Sequence, residues 1–256
     1  MPPLPEAATG AGIEAEAEAE AGAGTGAEAP PESRGGALPS VILVLTTVSG
    51  MVDAISFLGL GKVFTGMMTG NVIVLGFAFG GVPGYSEPGP VVAVVCFVAG
   101  VALAGRGERL AERHGGRCWF PWALTTEAAF LTAATALAWL APLSAPAVRD
   151  TVTGLLALAM GVRCATIRRL AVPDLVVTFG LTGALIGLVQ DPGGGRHGGR
   201  RAARRLGVIL ALGLGAAFGA ALTEYAGVRW SLLCATAVVV AIATVAGFRG
   251  RSPRER

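Results

Sequence analysis

Apolar residues dominate the chain from position 39 to position 248, broken only by short clusters of glycine, proline and arginine. Crossing a hydrocarbon core of ~30 Å takes about 20 apolar residues of helix. Stretches 40–60, 63–82, 119–141, 206–226 and 230–248 meet or approach that length. Stretches 91–105, 151–162 and 175–189 are shorter, and read either as spans or as buried and re-entrant pieces. Most of these segments are apolar on every face, and a soluble domain has no means of hiding so many of them. The expected fold class is all-α: a polytopic transmembrane helical bundle of six to eight helices, with seven preferred.

The pattern before position 39 is different. Residues 1–36 carry seven glutamates and one arginine among alanine, glycine and proline, with no apolar run and no basic leader. Residues 1–38 are expected to be a disordered acidic tail, 39–249 the transmembrane domain, and 250–256 a short basic cytoplasmic tail. Composition agrees: 53% of residues are hydrophobic and 14% charged, against about 25% charged in an average soluble domain. Mean hydropathy is +0.64. These values exclude a disordered body, a coiled coil and most nucleic-acid binders, so no nucleic-acid partner is expected. The bilayer is the expected partner.

Charge then bears on orientation. The formal net charge of +3 combines an acidic tail with an arginine-rich body, in which Lys62 is the only lysine. Arg106, Arg109, Arg113 and Arg117 form one cluster. Arg196, Arg200, Arg201, Arg204 and Arg205 form a second, and Arg249, Arg251, Arg254 and Arg256 a third. Loops 83–90 and 141–147 carry no arginine. The positive-inside bias puts the clusters in the cytoplasm, but eight full spans would set the first two on opposite sides. Seven spans, with the amino terminus outside, is the preferred count. The Arg196–Arg205 cluster could also attract anionic lipid.

Two stretches look alike. Gly50-Met51-Val52-Asp53-Ala54 precedes Thr69-Gly70-Asn71, and Gly161-Val162-Arg163-Cys164-Ala165 precedes Thr182-Gly183-Ala184. The offset is 111 residues at the first glycine and 113 at the Thr-Gly step. Duplication is common in transporter folds, where the substrate site lies between the halves, although glycine- and alanine-rich helices also resemble each other without it. Residues 48–54 (Val-Ser-Gly-Met-Val-Asp-Ala), the Met68-Thr69-Gly70-Asn71 step, 168–175 (Arg-Arg-Leu-Ala-Val-Pro-Asp-Leu) and Thr182-Gly183 resemble the YoaK family of bacterial integral membrane proteins. The resemblance spans roughly positions 40 to 248. It implies a multi-pass protein of the bacterial cytoplasmic membrane and supplies no substrate. One departure is Arg163-Cys164, where the family pattern usually has Gln-Asn.

Candidate chemistry is sparse. Asp53 falls near the middle of the first segment, where an acid costs at least ~2.5 kcal/mol on insertion scales. Thr46, Ser49, Asp53 and Ser56 are spaced to share one helical face, which must turn away from lipid. Asp53 reads either as a proton- or cation-coupled site or as a neutral acid holding helices together. Glu127 lies about eight residues into its segment and is expected to pair with Asp53 or with an arginine near a helix end. Thr65 and Thr69 stand one turn apart, and Asn71 adds an amide beside Gly70, a step able to unwind a helix toward an ion or solute. Thr178 and Thr182 repeat the threonine spacing before Gly183. Gly66 and Gly70, Gly76 and Gly80, Gly183 and Gly187, and Gly215 and Gly219 sit at helix-packing spacing. Arg163, Arg168, Arg169 and Asp174 read as an interfacial cap, with Arg163 the one able to neutralise Asp53 or bind an anion.

His114 and His197 read as solvated. The four cysteines form no C-x-x-C pair, so no metal site or cofactor is expected. Enzyme motifs are missing, and no catalytic residue is expected. The leading expectation is a small-solute or ion transporter, with a non-transporting scaffold or sensor as the alternative. The candidate pathway comprises Asp53, Thr46, Ser49, Ser56, Thr69, Gly70, Asn71, Glu127, Arg163, Thr178, Thr182 and Gly183.

Overall fold

Helix α1 (Ala37–Gly59) runs for 23 residues, ~34 Å at the usual rise, and stops at a reversal. Gly61 and Lys62 both take positive φ, 104° and 61°. Such a conformation is free for glycine and strained for lysine. The Lys62 ammonium lies 4.5 Å from the centre of the Tyr85 ring, which holds the turn. After a non-helical stretch the chain forms α2 (Met68–Phe79), then α3 (Pro88–Arg113), α4 (Trp119–Leu140) and α5 (Pro146–Leu170). A second short helix, α6 (Leu181–Gln190), precedes α7 (Gly198–Ala226) and α8 (Val228–Arg251). The computed structural model describes residues 37–113, 119–170, 181–190 and 198–251. The tail expected over 1–38 thus lies almost wholly outside the described residues. So do Cys118, His114, Asp174, Thr178, His197 and Arg196.

Among the described residues, six helices are long and apolar enough to cross a membrane: α1, α3, α4, α5, α7 and α8. This differs from the preferred count of seven in a specific way. The 63–82 stretch holds only the 12-residue α2, ~18 Å long, which falls well short of the hydrocarbon core. The 91–105 and 151–162 stretches are instead the middles of helices of 26 and 25 residues. Hydropathy undercounted them because arginines and small residues extend their ends. Of the 175–189 stretch, 175–180 lie outside the described residues, and the rest falls in the 10-residue α6.

Six spans also restore the charge arithmetic. The start of α1, the stretch after α3, the stretch between α5 and α7 and the end of α8 then share one side, and Arg106, Arg109, Arg113, Arg204 and Arg205 among the described residues lie at its helix ends. The opposite side carries Lys62, Arg149 and Arg229 against Glu87, Asp150 and Glu224, a neutral balance. With six spans the start of α1 lies on the arginine-rich side, whereas a count of seven set it on the opposite side.

The order long, short, long, long occurs twice, in α1–α4 and in α5–α8. Three crossings per half make the two halves enter the membrane from opposite sides. Packing repeats with the order: α1 lies along α7, α3 along α5, and α4 along α8. The contacts match residue by residue. A Cβ on Gly50 would meet the Leu212 carbonyl at 2.1 Å, and one on Gly161 would meet the Phe97 carbonyl at 2.2 Å. One on Gly215 would meet the Thr47 carbonyl at 1.9 Å, and one on Gly100 the Leu158 carbonyl at 2.3 Å. At the α4–α8 contact the Thr135 and Thr236 hydroxyls are 2.7 Å apart. One donates to the other, and the hydroxyl left over faces a carbonyl of the opposite helix at 3.4 Å, Leu232 for Thr135 or Leu131 for Thr236.

Helices α1 and α5 are the most enclosed, whereas α3 and α7 turn most of their surface outward. Val95, Val98, Leu214 and Phe218 are among the outward residues. An apolar exterior suits lipid, and the main core lies between α1, α4, α5 and α8.

Candidate functional site

The site begins with the non-helical stretch between α1 and α2. The Leu60 and Lys62 N–H groups still bond carbonyls of α1, but beyond them the backbone has no helix of its own. Non-helical backbone at membrane depth persists only where protein or a wet cavity surrounds it. Two side chains meet that demand. Asp53, six residues before the end of α1 and thus ~9 Å below it, accepts from the Thr65 N–H at 2.8 Å and the Gly66 N–H at 2.7 Å. It also accepts from the Thr65 hydroxyl at 3.2 Å. All three bonds fall on Oδ1. Asn71, in the first turn of α2, accepts from the Phe64 N–H at 2.9 Å and donates to the Phe64 carbonyl at 2.7 Å.

The chain therefore turns back into the bundle at Gly61, reaches the depth of Asp53 at Thr65–Gly66, and leaves again along α2. Phe64 stacks on Phe57 with ring centres 4.8 Å apart. Phe77, near the other end of α2, meets Tyr85 at 5.3 Å, so α2 returns to the face where Lys62 lies. Asp53 is accordingly placed in the outer part of α1 rather than at its middle, with Thr65 wholly buried beside it.

A second cluster lies deeper. Arg163 of α5 and Glu127 of α4 are 2% and 1% exposed. The Arg163 Nε donates to Glu127 Oε1 at 2.7 Å, and its Nη2 donates to the same oxygen. Its Nη1 reaches α1, donating to the Leu45 carbonyl and the Ser49 hydroxyl, both at 2.9 Å. One guanidinium thus ties helices from both halves. It also acts electrostatically on Asp53, and Cys164 beside it feels Arg163, Asp53 and Glu127.

Several sequence expectations are rearranged by this geometry. Glu127 is held by an arginine, as one of the two readings had it, but by Arg163 in the interior. Arg163 is no interfacial cap. Arg169 is the interfacial one, paired with Glu108 and, at 2.7 Å, with Glu112. Ser49 joins the Arg163 cluster. Thr46 and Ser56 are buried on the same helix and donate to carbonyls of α1, Ile42 at 2.9 Å and Asp53 at 3.0 Å.

Thr69 is exposed and away from Asp53's bonds, whereas Thr65, one turn earlier in the sequence, is buried and donates to Asp53. Gly70 belongs to the hairpin rather than to a helix crossing: a Cβ there would meet the Phe64 ring at 2.7 Å. Thr178 lies outside the described residues, as does the side chain of Thr182; Gly183 falls in α6. The signal that would have singled out Thr65 is its place before a glycine in a segment holding Gly61, Gly66 and Gly70, where an unwound backbone needs hydroxyl and carboxylate partners.

Replacing Asn71 with leucine strands the part-buried N–H and carbonyl of Phe64. Such stranding costs roughly 1–3 kcal/mol per group, so a loss of about 2 kcal/mol or more in unfolding free energy in detergent is expected. A wild-type midpoint would show that the hairpin does not depend on this pair.

Comparison with known proteins places this arrangement. Residues 41–245 match the family described as "Protein of unknown function (DUF1275)". The chain is 28% identical over 158 residues to "UPF0700 transmembrane protein YoaK" of Bacillus subtilis (strain 168), covering 60% of this chain and 67% of that protein. No solved structure matches it. The matched span begins within α1 and ends within α8, taking in the re-entrant hairpin and the Arg163 cluster, and the chain belongs to the DUF1275 family of membrane proteins.

Proposed function

We propose that this multi-pass membrane protein transports a small solute or ion along a path that passes Asp53. One observation carries the reading. A non-helical segment, pinned on a membrane acid, lies at the junction of two similarly packed halves that enter the membrane from opposite sides. Transporters of inverted-repeat design place broken helices and their sites there, because unwound backbone offers polar groups that an intact helix does not. The proposed location is the bacterial cytoplasmic membrane, in keeping with the bacterial source of the relative. The reading gives the protein no catalytic residue. Anionic headgroups at the Arg196–Arg205 segment belong to the proposal as well, since basic residues near a membrane surface gain about 1 kcal/mol each from anionic lipid.

The test is flux. Purified protein in liposomes is offered a panel of labelled ions and small polar solutes, and movement of at least one above empty liposomes is expected. Asp53→Asn is expected to slow that movement at least about tenfold, as removal of a membrane acid on a pathway should. Rates unchanged in the variant would remove Asp53 from the path.

A scaffold reading has one observation in its favour: the hydrogen bonds of Asp53 and Asn71 go to the chain itself. It predicts a less stable Asp53→Asn protein and no flux in either form.

A further inference from the structure

We propose that Asp53 is a proton-exchanging carboxyl, taking its proton on Oδ2, and that protonation loosens the Thr65–Gly66 turn that Oδ1 holds. The proposal rests on the transport reading, for which it names the driving ion. Asp53 lies one turn along α1 from Ser49, which accepts from Arg163 of α5. Arg163 in turn holds Glu127 of α4, so these are the charged groups packed around this part of α1, with the Cys164 thiol next to Arg163 in the chain. Arg163 gives Nε and Nη2 to Glu127, and the charges of that pair cancel. Its Nη1 is directed at the Leu45 carbonyl and the Ser49 hydroxyl. The three bonds that Asp53 accepts come from neutral donors. An ionised Asp53 therefore leaves the cluster one negative charge in excess, in surroundings where an unbalanced charge is costly.

The geometry selects a proton over a metal cation to remove that excess. Oδ1 is ringed by the positive ends of two N–H groups and a hydroxyl, which repel a cation. Hard cations also gather about six or more oxygen ligands, whereas a proton needs one lone pair. Oδ2 takes none of the three bonds and sits 3.2 Å from where a Gly66 Cβ would be, a tight approach that glycine spares it.

Protonation has a mechanical result. Hydrogen bonds to an ionised carboxylate are roughly twice as strong as those to a neutral acid. A proton taken from water onto Oδ2 weakens all three bonds on Oδ1 at once. The segment they release is non-helical and begins at the positive-φ pair Gly61–Lys62, where the chain is already turned. Glu127 is exempt, because its charge is matched by Arg163.

Two measurements on the full chain in micelles test this without any flux. A hydrophobic carbodiimide, which adds only to protonated carboxyls, is applied across about pH 5 to 9 and the modified residue is read by peptide mass. Asp53 is expected to gain one reagent molecule, increasingly as pH falls, while Glu127 stays unmodified and Asp53→Asn abolishes the product. Amide exchange of Thr65 and Gly66, corrected for its intrinsic pH dependence, is read on the wild-type protein. Protection is expected to fall roughly tenfold between the deprotonated and protonated forms.

Modification of Glu127, or none at either acid, would overturn the assignment of the proton. Labelling of Asp53 with protection that ignores pH would overturn the link to the turn. Either result would leave the transport reading standing, whereas absent flux with both measurements as expected would overturn that reading and keep the proton site.

Discussion

Replacing Arg163 with methionine is expected to lower the stability of the bundle by about 3–5 kcal/mol, the range found when one partner of a buried ion pair is removed. The residue does three things at once. It neutralises Glu127 through Nε and Nη2, occupies the Leu45 carbonyl, and donates to Ser49. Methionine fills much of the same volume and does none of these, so Glu127 remains as a charge among apolar side chains. The double variant Arg163→Met, Glu127→Met removes both charges and is expected to recover most of the loss. A coupling energy of at least about 2 kcal/mol in the double-mutant cycle would register the pair. Chemical denaturation in detergent, with helicity as the signal, reads all four proteins. A single variant within about 0.5 kcal/mol of wild type would show that the two side chains do not meet in the folded protein.

The glycine crossings should be nearly as sensitive. Alanine at Gly50 or Gly215 places a methyl about 2 Å from a backbone carbonyl oxygen of the facing helix, and the same holds at Gly161 and Gly100. Backbone cannot rotate away as a side chain can, so α1 must part from α7, or α3 from α5, and the packing along the whole contact is loosened. Overpacking of this kind costs 1–3 kcal/mol in ordinary cores and more where nothing yields. About 3 kcal/mol per substitution is expected here. Gly76→Ala is the control: no atom lies within 4 Å of its Cβ, and the gain in helix propensity makes it neutral or slightly stabilising. Equal effects at Gly50 and Gly161 would show the two halves to be energetic as well as geometric equivalents. If Gly215→Ala left the melting temperature unchanged, the α1–α7 contact described above would be wrong.

Much of the candidate site was legible in the sequence, but in pieces. Asp53, Ser49 and Ser56 were marked by their common helical face, and Asn71 by its place beside Gly70. Glu127 and Arg163 stood out as charges in apolar surroundings. Which of them meet was not legible. The spacing that singles out Thr69 serves Thr65 equally well, and only the reversal at Gly61–Lys62 decides that Thr65 faces Asp53. The Gly-x-x-x-Gly spacing found Gly215 and Gly219, which do cross α1. It missed Gly50, Gly100 and Gly161, which meet their partner helix without a spaced companion. At Gly76 it pointed to a helix contact, yet the flank is open.

By itself the sequence determined that this is a bundle of membrane helices, where most of them lie, and which charges gather on one side. Those are sums of local transfer free energies, so each segment settles them alone. The tertiary structure decided that positions 63–82 form a hairpin with one short helix rather than a full-length span. It also decided that Arg163 is interior and paired with Glu127. The reason is physical. An unwound segment at membrane depth is stable only when distant side chains satisfy its backbone, and a buried charge only when another helix brings its partner. Asp53 supplies the first from twelve residues away and Glu127 the second from thirty-six, separations that no local pattern of apolar and polar positions records.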